Sequence, residues 1–206
     1  LPLALAASAD VLSEIDTVYV VDQGNQKVAD RPEFAAISRQ LGDTLQIVDQ
    51  PNLGGSGGFS RSMSETLDAG RSDFLLLLDD DVQIEPESIY RSVQFSRFCR
   101  TPTIVGSHMF DLLDKPILHA FAETIDMPYF FWRSPLPRQM RHDFRRANLR
   151  QTAWMHQRLD PDYNGWWMCM IPTSVIREIG LSLPVFIKWD DAEYALRARD
   201  HGFGTV

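Results

Sequence analysis

The chain has 206 residues, 44% of them hydrophobic and 23% charged, with a formal net charge of -8. That length and balance suit one domain with a sizeable core and exclude a repeat-built or disordered chain, and the acidic excess argues against a general nucleic-acid binder. The two cysteines, Cys99 and Cys169, lie far apart and fit reduced cytosolic thiols better than a disulfide framework.

From the start of the chain, Leu1 to Ser13 is apolar and Ala-rich and predicts a helix; Leu1 to Ala7 lacks the basic flank of a signal peptide. Thr17 to Val21 is a β-branched strand that ends in the turn signal Asp22-Gln23-Gly24-Asn25. Pro32 to Leu41 predicts a second helix and Leu45 to Val48 a second strand. Pro51 to Gly58 predicts a loop with four glycines, and Phe59 to Ala69 a helix. This alternation is the rhythm of a parallel α/β sheet. No apolar run reaches the roughly 20 residues of a membrane span.

Phe74 to Asp81 organises the rest: five apolar residues run straight into Asp79, Asp80 and Asp81. A short unbroken apolar run reads as a strand buried on both faces, and ligands of open α/β sheets bind at the carboxyl ends of such strands. Strand alternation would set Asp79 and Asp81 on one side, where two hard carboxylates can share a divalent cation. An acidic turn leading into the next helix is the alternative. The glycine loop is neither a P-loop nor a dinucleotide fingerprint; glycines this dense permit close approach of the backbone to a ligand or to a neighbouring helix.

Glu87 to Arg100 predicts a helix and Thr103 to Gly106 a strand. Met109 to Arg158 then mixes prolines, aromatics and arginines without a sustained period, and predicts strand pieces in a substrate-shaping excursion with a helix over Asp143 to Trp154. Its basic stretch from Arg133 to Arg158 suits a phosphate or an anionic membrane surface. Tyr163 to Ile171 predicts a turn feeding an aromatic strand, where Trp166 and Trp167 beside Asn164 suit sugar stacking, although core packing explains one of the two. Thr173 to Gly180 predicts a helix, Phe186 to Lys188 a short strand, and Asp190 to Asp200 a helix whose opening acids Asp190, Asp191 and Glu193 also suit a helix N-terminus electrostatically. His201 to Val206 predicts entry into a further strand.

Three stretches together resemble one family: Thr17 to Asn25, Asp79 to Asp81 after its apolar strand, and Trp189-Asp190-Asp191-Ala192-Glu193-Tyr194 look like the nucleotide strand, metal motif and catalytic acidic motif of inverting GT-A glycosyltransferases of family two. More narrowly, Asp49 to Arg61, Tyr163 to Pro172 and Pro184 to Tyr194 resemble the galactofuranosyltransferases that polymerise the cell-wall galactan of actinobacteria. The resemblance implies a GT-A-like three-layer α/β/α domain with a mainly parallel, Rossmann-like sheet. It implies transfer of galactofuranose from UDP-galactofuranose to a growing galactan, or of another sugar such as rhamnose or glucose from its UDP donor. By it, Asp79 and Asp81 would hold Mn2+ or Mg2+, and Asn52 would contact the nucleotide. Asp191 would be the general base and Asp190 would bind acceptor, with Glu123, Trp132, Trp166 and Trp167 lining the acceptor site. The implied partners are a UDP-sugar, a glycan or lipid-linked glycan acceptor at the cytoplasmic face of the plasma membrane, and further copies of the full-length protein.

The resemblance also implies that the family's first strand precedes residue 1, and that a metal-binding histidine follows residue 206. The expectation is thus a single catalytic domain over 1–206, excised from a larger enzyme and limited in activity alone. Two other classes compete. An apolar strand with Asp-x-Asp also opens haloacid-dehalogenase-type phosphatases, but Gln83 stands where they carry Thr or Val. A non-enzymatic sugar-binding module explains the tryptophans but not two acidic motifs at strand ends.

Overall fold

The computed structural model describes residues 9–206, so only Ala9–Leu12 (α1) of the expected first helix falls within them and the rest lies outside. Strand β1 (Val18–Asp22), helix α2 (Phe34–Leu41) and strand β2 (Leu45–Asp49) follow as the β-branched and amphipathic runs predict. Next come α3 (Gly54–Ala69), β3 (Phe74–Leu77), α4 (Pro86–Phe98) and β4 (Thr103–Gly106). Helix α3 stops at Gly70 in the left-handed conformation, and α4 starts on Pro86, whose missing N–H costs nothing there.

The middle segment holds only short strands, β5 (Met109–Phe110), β6 (Leu118–Ala120), β7 (Thr124–Asp126) and β8 (Phe131–Arg133), paired antiparallel as β5 with β6 and β7 with β8. The chain closes with β9 (Cys169–Pro172), α5 (Thr173–Ile179), α6 (Asp190–Asp200) and β10 (Gly204–Thr205).

Strands β1 and β2 form a parallel pair, Val18 opposite Leu45 through Asp22 opposite Asp49. A four-stranded sheet has the order β10-β4-β9-β3. Its strands β3, β4 and β10 share one direction, while β9 runs antiparallel to both neighbours. Helix α4 crosses over between β3 and β4 and keeps them parallel; no α-helix crosses between β4 and β9, so β9 can enter from the opposite end.

Strand β3 is packed on both faces, as its unbroken apolar run predicts. Leu75 and Leu77 join Met63 of α3, Ile176 of α5 and Tyr194 of α6 on one side. Leu76 meets Ile89 and Val93 of α4 on the other. The layers are therefore α3, α5 and α6, then sheet, then α4 with α1. Full burial of a side chain such as Leu77 stabilises by roughly 1.5–3 kcal/mol.

Three expectations need correction. The helix predicted over Asp143 to Trp154 is absent: turns and the 3-10 segments Leu149–Gln151 and Ala153–His156 stand there, held by a capping box at Asn148 and by the Arg145–Asp143 ion pair. The predicted strand Phe186 to Lys188 is irregular, because Phe186 and Lys188 have positive φ. The glycine loop is instead the first turn of α3, which begins at Gly54 and not at Phe59. Glycine is a poor helix former, so composition pointed to a loop. The compensating contact is with a segment 130 residues away: Phe186 donates its N–H to Ser56 Oγ at 3.0 Å, and the Ser56 N–H reaches the Phe186 carbonyl at 3.4 Å.

Gly54 has φ +75°, and a Cβ there would lie 1.9 Å from the Phe186 carbonyl oxygen. Gly180, at the end of α5, has φ +83° with open space around it. Gly180→Ala is expected to cost about 1–3 kcal/mol, the penalty of a backbone conformation that suits glycine alone, and Gly54→Ala more than Gly180→Ala, about 3 kcal/mol or above, because backbone must also move. Denaturant unfolding of the two variants checks the order.

Candidate active site

Carboxylates from three separate stretches approach one another: Asp79 after β3 senses Asp190 at the start of α6, and Asp191 beside it senses Glu123 from just before β7. Burial pushes the Asp79 carboxyl up, and Asp81, Asp80 and Asp190 push it further. Strand β3 ends at Leu77, so Asp79 leaves an extended segment and Asp80 and Asp81 lie in the turn after it. The alternation argument thus stops two residues short of the acids. No hydrogen bond or ion pair from the described residues engages Asp79 or Asp81. Two unengaged hard-oxygen donors under mutual repulsion fit a divalent cation. Among the described residues no third His, Cys, Asp or Glu joins them in a metal-binding group.

Asp191 is the most strongly perturbed acid. Burial raises its carboxyl to about 7, with Asp190 and Glu123 adding repulsion and the Ala192 N–H opposing them. Asp190 beside it is buried and likewise raised. Both open α6, where the helix dipole favours negative charge, yet burial, with like charge added at Asp191, pushes both carboxyls the other way. The row continues through Glu123, which burial raises against the opposing influence of the nearby Tyr163 hydroxyl. Tyr163 is buried, and burial with Glu123 and Asp191 nearby keeps its phenol protonated.

The first turn of α3 closes another side: a Cβ on Gly55 would lie 3.9 Å from Asp190 Oδ2. Asn52, expected at the nucleotide, accepts the Gly54 N–H on Oδ1 at 2.9 Å and so sits at the mouth of this helix. Gln23 was not singled out from sequence, yet its amide ties the segment to β1: Oε1 accepts from the Leu53 N–H at 2.8 Å and from Gln50 Nε2, and Nε2 donates to the Gly54 carbonyl at 2.9 Å. Only its place in the turn after β1 hinted at this. Ahead of Asp190, Phe186, Lys188 and Trp189 all have positive φ. Such conformations cost about 1–3 kcal/mol each and cluster at functional sites.

The two tryptophans part company. Trp166 is 5% exposed and packs edge-on against Phe59 and Tyr194, which puts it in the core and not on the wall of the site. Trp167 packs on the opposite side near Met168 and donates its indole N–H to the Ser107 carbonyl. Both lie in the turn before β9, where the residues are held by packing and not by a strand ladder. The open aromatic faces belong instead to the β7–β8 hairpin. Trp132 and Glu123 line a cavity of about 380 Å³ with His119, Phe121, Met140 and Arg141. That volume lies within the roughly 300–1,000 Å³ of small-molecule sites. At the hairpin tip Phe130 stacks on Trp189, the residue before Asp190, at 5.1 Å.

The unfolded Asp191 carboxyl titrates near 3.8 and the folded one near 7. Between those values the unfolded chain binds fewer protons, so this group's contribution to stability is complete below about 4 and is lost as pH rises to about 7. Asp191→Asn keeps an acceptor for the Ala192 N–H and removes the buried charge. Its melting temperature is expected to exceed wild type at pH 8, by a margin that shrinks at pH 5. Loss of a favourable helix-terminal charge predicts the opposite sign.

Comparison with known proteins gives this geometry a family. The model of the family described as "Glycosyltransferase like family 2" matches residues 4–206. Galactofuranosyltransferase GlfT2 of Mycolicibacterium smegmatis is 46% identical over 210 residues, covering 99% of this chain and 32% of that protein. GlfT2 of Mycobacterium tuberculosis is 45% identical over 206 residues, covering 98% and 32%. The chain therefore spans about a third of the length of these relatives. Among solved structures, a mannosyltransferase from Pyrobaculum calidifontis in complex with GDP-Man and Mn2+ superposes with a TM-score of 0.54 at 11% identity, over all of this chain and 51% of that one, which shows the shared GT-A fold. With a family model covering nearly every residue, the three-layer GT-A architecture and a carboxylate row at the strand ends, the chain belongs to glycosyltransferase family 2.

Proposed function

We propose that this chain is the catalytic domain of a metal-dependent, inverting galactofuranosyltransferase that extends a cell-wall galactan. The observation that carries the reading is the 46% identity to a galactofuranosyltransferase over 99% of the chain. In this reading UDP-galactofuranose binds between the α3 N-terminus and the Asp79–Asp81 turn. Asp79 and Asp81 would hold Mn2+ or Mg2+, which would supply neutralisation of the charge that develops on the leaving diphosphate. The Mn2+ and GDP-Man of the archaeal mannosyltransferase support a divalent ion and a nucleotide-sugar donor.

The acceptor lies across the carboxylate row, with Glu123, Trp132 and Asp190 holding it. Asp191 takes the proton of the attacking hydroxyl as its oxygen bonds to the anomeric carbon, and the bond from that carbon to the UDP phosphate oxygen breaks. A single displacement of this kind inverts the anomeric centre. A carboxyl near 7 is well suited to the task, since it is ionised half the time at neutral pH yet basic enough to accept a proton. Trp166 serves this site from the core by backing Tyr194 and the start of α6. Exposed Tyr129, Phe130, Phe131 and Trp132, followed by the arginine-rich 133–158 stretch, support contact with an anionic membrane surface and a lipid-linked acceptor at the cytoplasmic face.

The test is transfer by the full-length protein from a panel of UDP-sugars to a short galactofuranosyl acceptor, followed by mass spectrometry. Extension from UDP-galactofuranose alone is expected; extension only from another UDP-sugar would overturn the sugar assignment. Asp191→Asn should lower turnover roughly 10²- to 10⁴-fold while leaving donor binding intact. For wild type, kcat/KM should rise with pH through about 7 as Asp191 deprotonates, then level off. In calorimetry Asp81→Ala should lose the metal-dependent part of UDP binding; unchanged binding would remove these acids from the metal site.

A further inference from the structure

The irregular middle segment carries two residues of the acceptor site, Glu123 and Trp132, yet it has no long helix or strand to position them. The catalytic acids sit on α6, a separate element. A single carboxylate joins the two. Asp162 accepts from Arg199 Nη1 on Oδ1 at 2.7 Å and from the Ile125 backbone N–H on Oδ2 at 2.8 Å. Its own backbone N–H donates to the Glu123 carbonyl at 2.9 Å. Arg199 is on the last turn of the helix whose first turn carries Asp190 and Asp191. Ile125 pairs across the hairpin with Trp132, so holding Ile125 places both acceptor residues at once.

We propose that Arg199 and Asp162 form a clamp that sets the distance between the acceptor-binding hairpin and the catalytic helix, and that both are positioning residues for the acceptor. This rests on the functional reading above. The hairpin is otherwise held to α6 by the small cluster of Ile125, Tyr163, Ala192 and Ala195, and by the Phe130–Trp189 stack at the other end of the helix. Apolar contacts tolerate sliding; a carboxylate with each oxygen committed to a different element does not. The Arg199 side chain is 53% exposed and that of Asp162 27%, so the pair adds little to stability. Its effect lies in geometry, where small displacements of a binding group weaken substrate positioning.

The test compares Arg199→Ala, Arg199→Lys, Asp162→Ala and the double alanine variant in the full-length protein, with Asp191→Asn as the chemical control. Arg199→Ala is expected to raise acceptor KM about five- to tenfold, with donor KM within twofold of wild type and kcat falling less than KM rises. Arg199→Lys should recover most of the loss. The double variant should be no worse than Asp162→Ala alone, because the two residues act through one contact. An acceptor KM within twofold of wild type in Arg199→Ala overturns the clamp whatever happens to the melting temperature. A parallel rise in donor and acceptor KM, or a fall in melting temperature alone, assigns the pair a structural role and also overturns it. If wild type transfers sugar and Asp191→Asn does not, such failures concern the clamp only; a wild type inactive with every UDP-sugar removes the functional reading itself and the clamp with it.

Discussion

Burial of carboxylates gathered from separate stretches of chain, sharpened by like charge at Asp79 and Asp191, is the constraint on which this structure depends. Burial raises the carboxyls of Asp79, Asp190, Asp191 and Glu123, and like charge adds to it at Asp79 and Asp191, so each marks a free-energy cost of keeping an acid where its charge is disfavoured. The supports are correspondingly rigid. A strand buried on both faces delivers the first pair, a helix packed by Tyr194 and Ala198 into the core delivers the second, and Glu123 is fixed through its backbone to residues 162 and 163. Strain at Phe186, Lys188 and Trp189 is tolerated because Ser56 and Phe130 hold that segment from both sides.

Differences in surroundings then divide the labour among like groups. Asp79 and Asp81 stand in or beside an exposed turn with no protein partner, a setting that favours an external cation. At Asp191 loss of solvation, with repulsion from Asp190 and Glu123, raises the carboxyl to about 7, a range useful in general-base chemistry. Tyr163, held protonated by burial beside Glu123 and Asp191, presents a neutral hydroxyl to that end of the row. In the proposed reaction these surroundings would suit the unpartnered pair to a cation and Asp191 to proton transfer.

The parts legible in the sequence are those that local pattern dictates. The apolar run of β3, the β-branched β1, the Gly180 stop of α5 and the acidic start of α6 all express periodicity or capping within a few residues. The two acidic motifs stood out because three acids follow the apolar run of β3 and three open α6, both local patterns. What escaped is what distant residues decide. The glycine-rich run becomes a helical turn where Phe186 closes on Gly54 and Ser56; Trp166 turns inward because Phe59 and Tyr194 surround it; the 143–154 stretch forgoes a helix because ion pairs and turns hold it beside Asp114 and Ile117. Asp162 and Arg199 carried no local signal, since each is an ordinary charged residue until the other is placed beside it.

The bridge between Ser56 and Phe186 has a consequence for how the protein is made. Its partners are 130 residues apart, and at about 5–20 residues per second a ribosome needs on the order of ten seconds to deliver the second after the first. Strand β3 waits nearly as long for β9, its hydrogen-bonded neighbour. During that interval Phe74 to Leu78 is a nascent apolar segment with an open edge, the kind of surface that chaperones bind and that aggregates form from. Synthesis therefore exposes the chain's most hydrophobic strand before it delivers the partner that covers it, and slow translation or elevated temperature would reduce yield through that window alone.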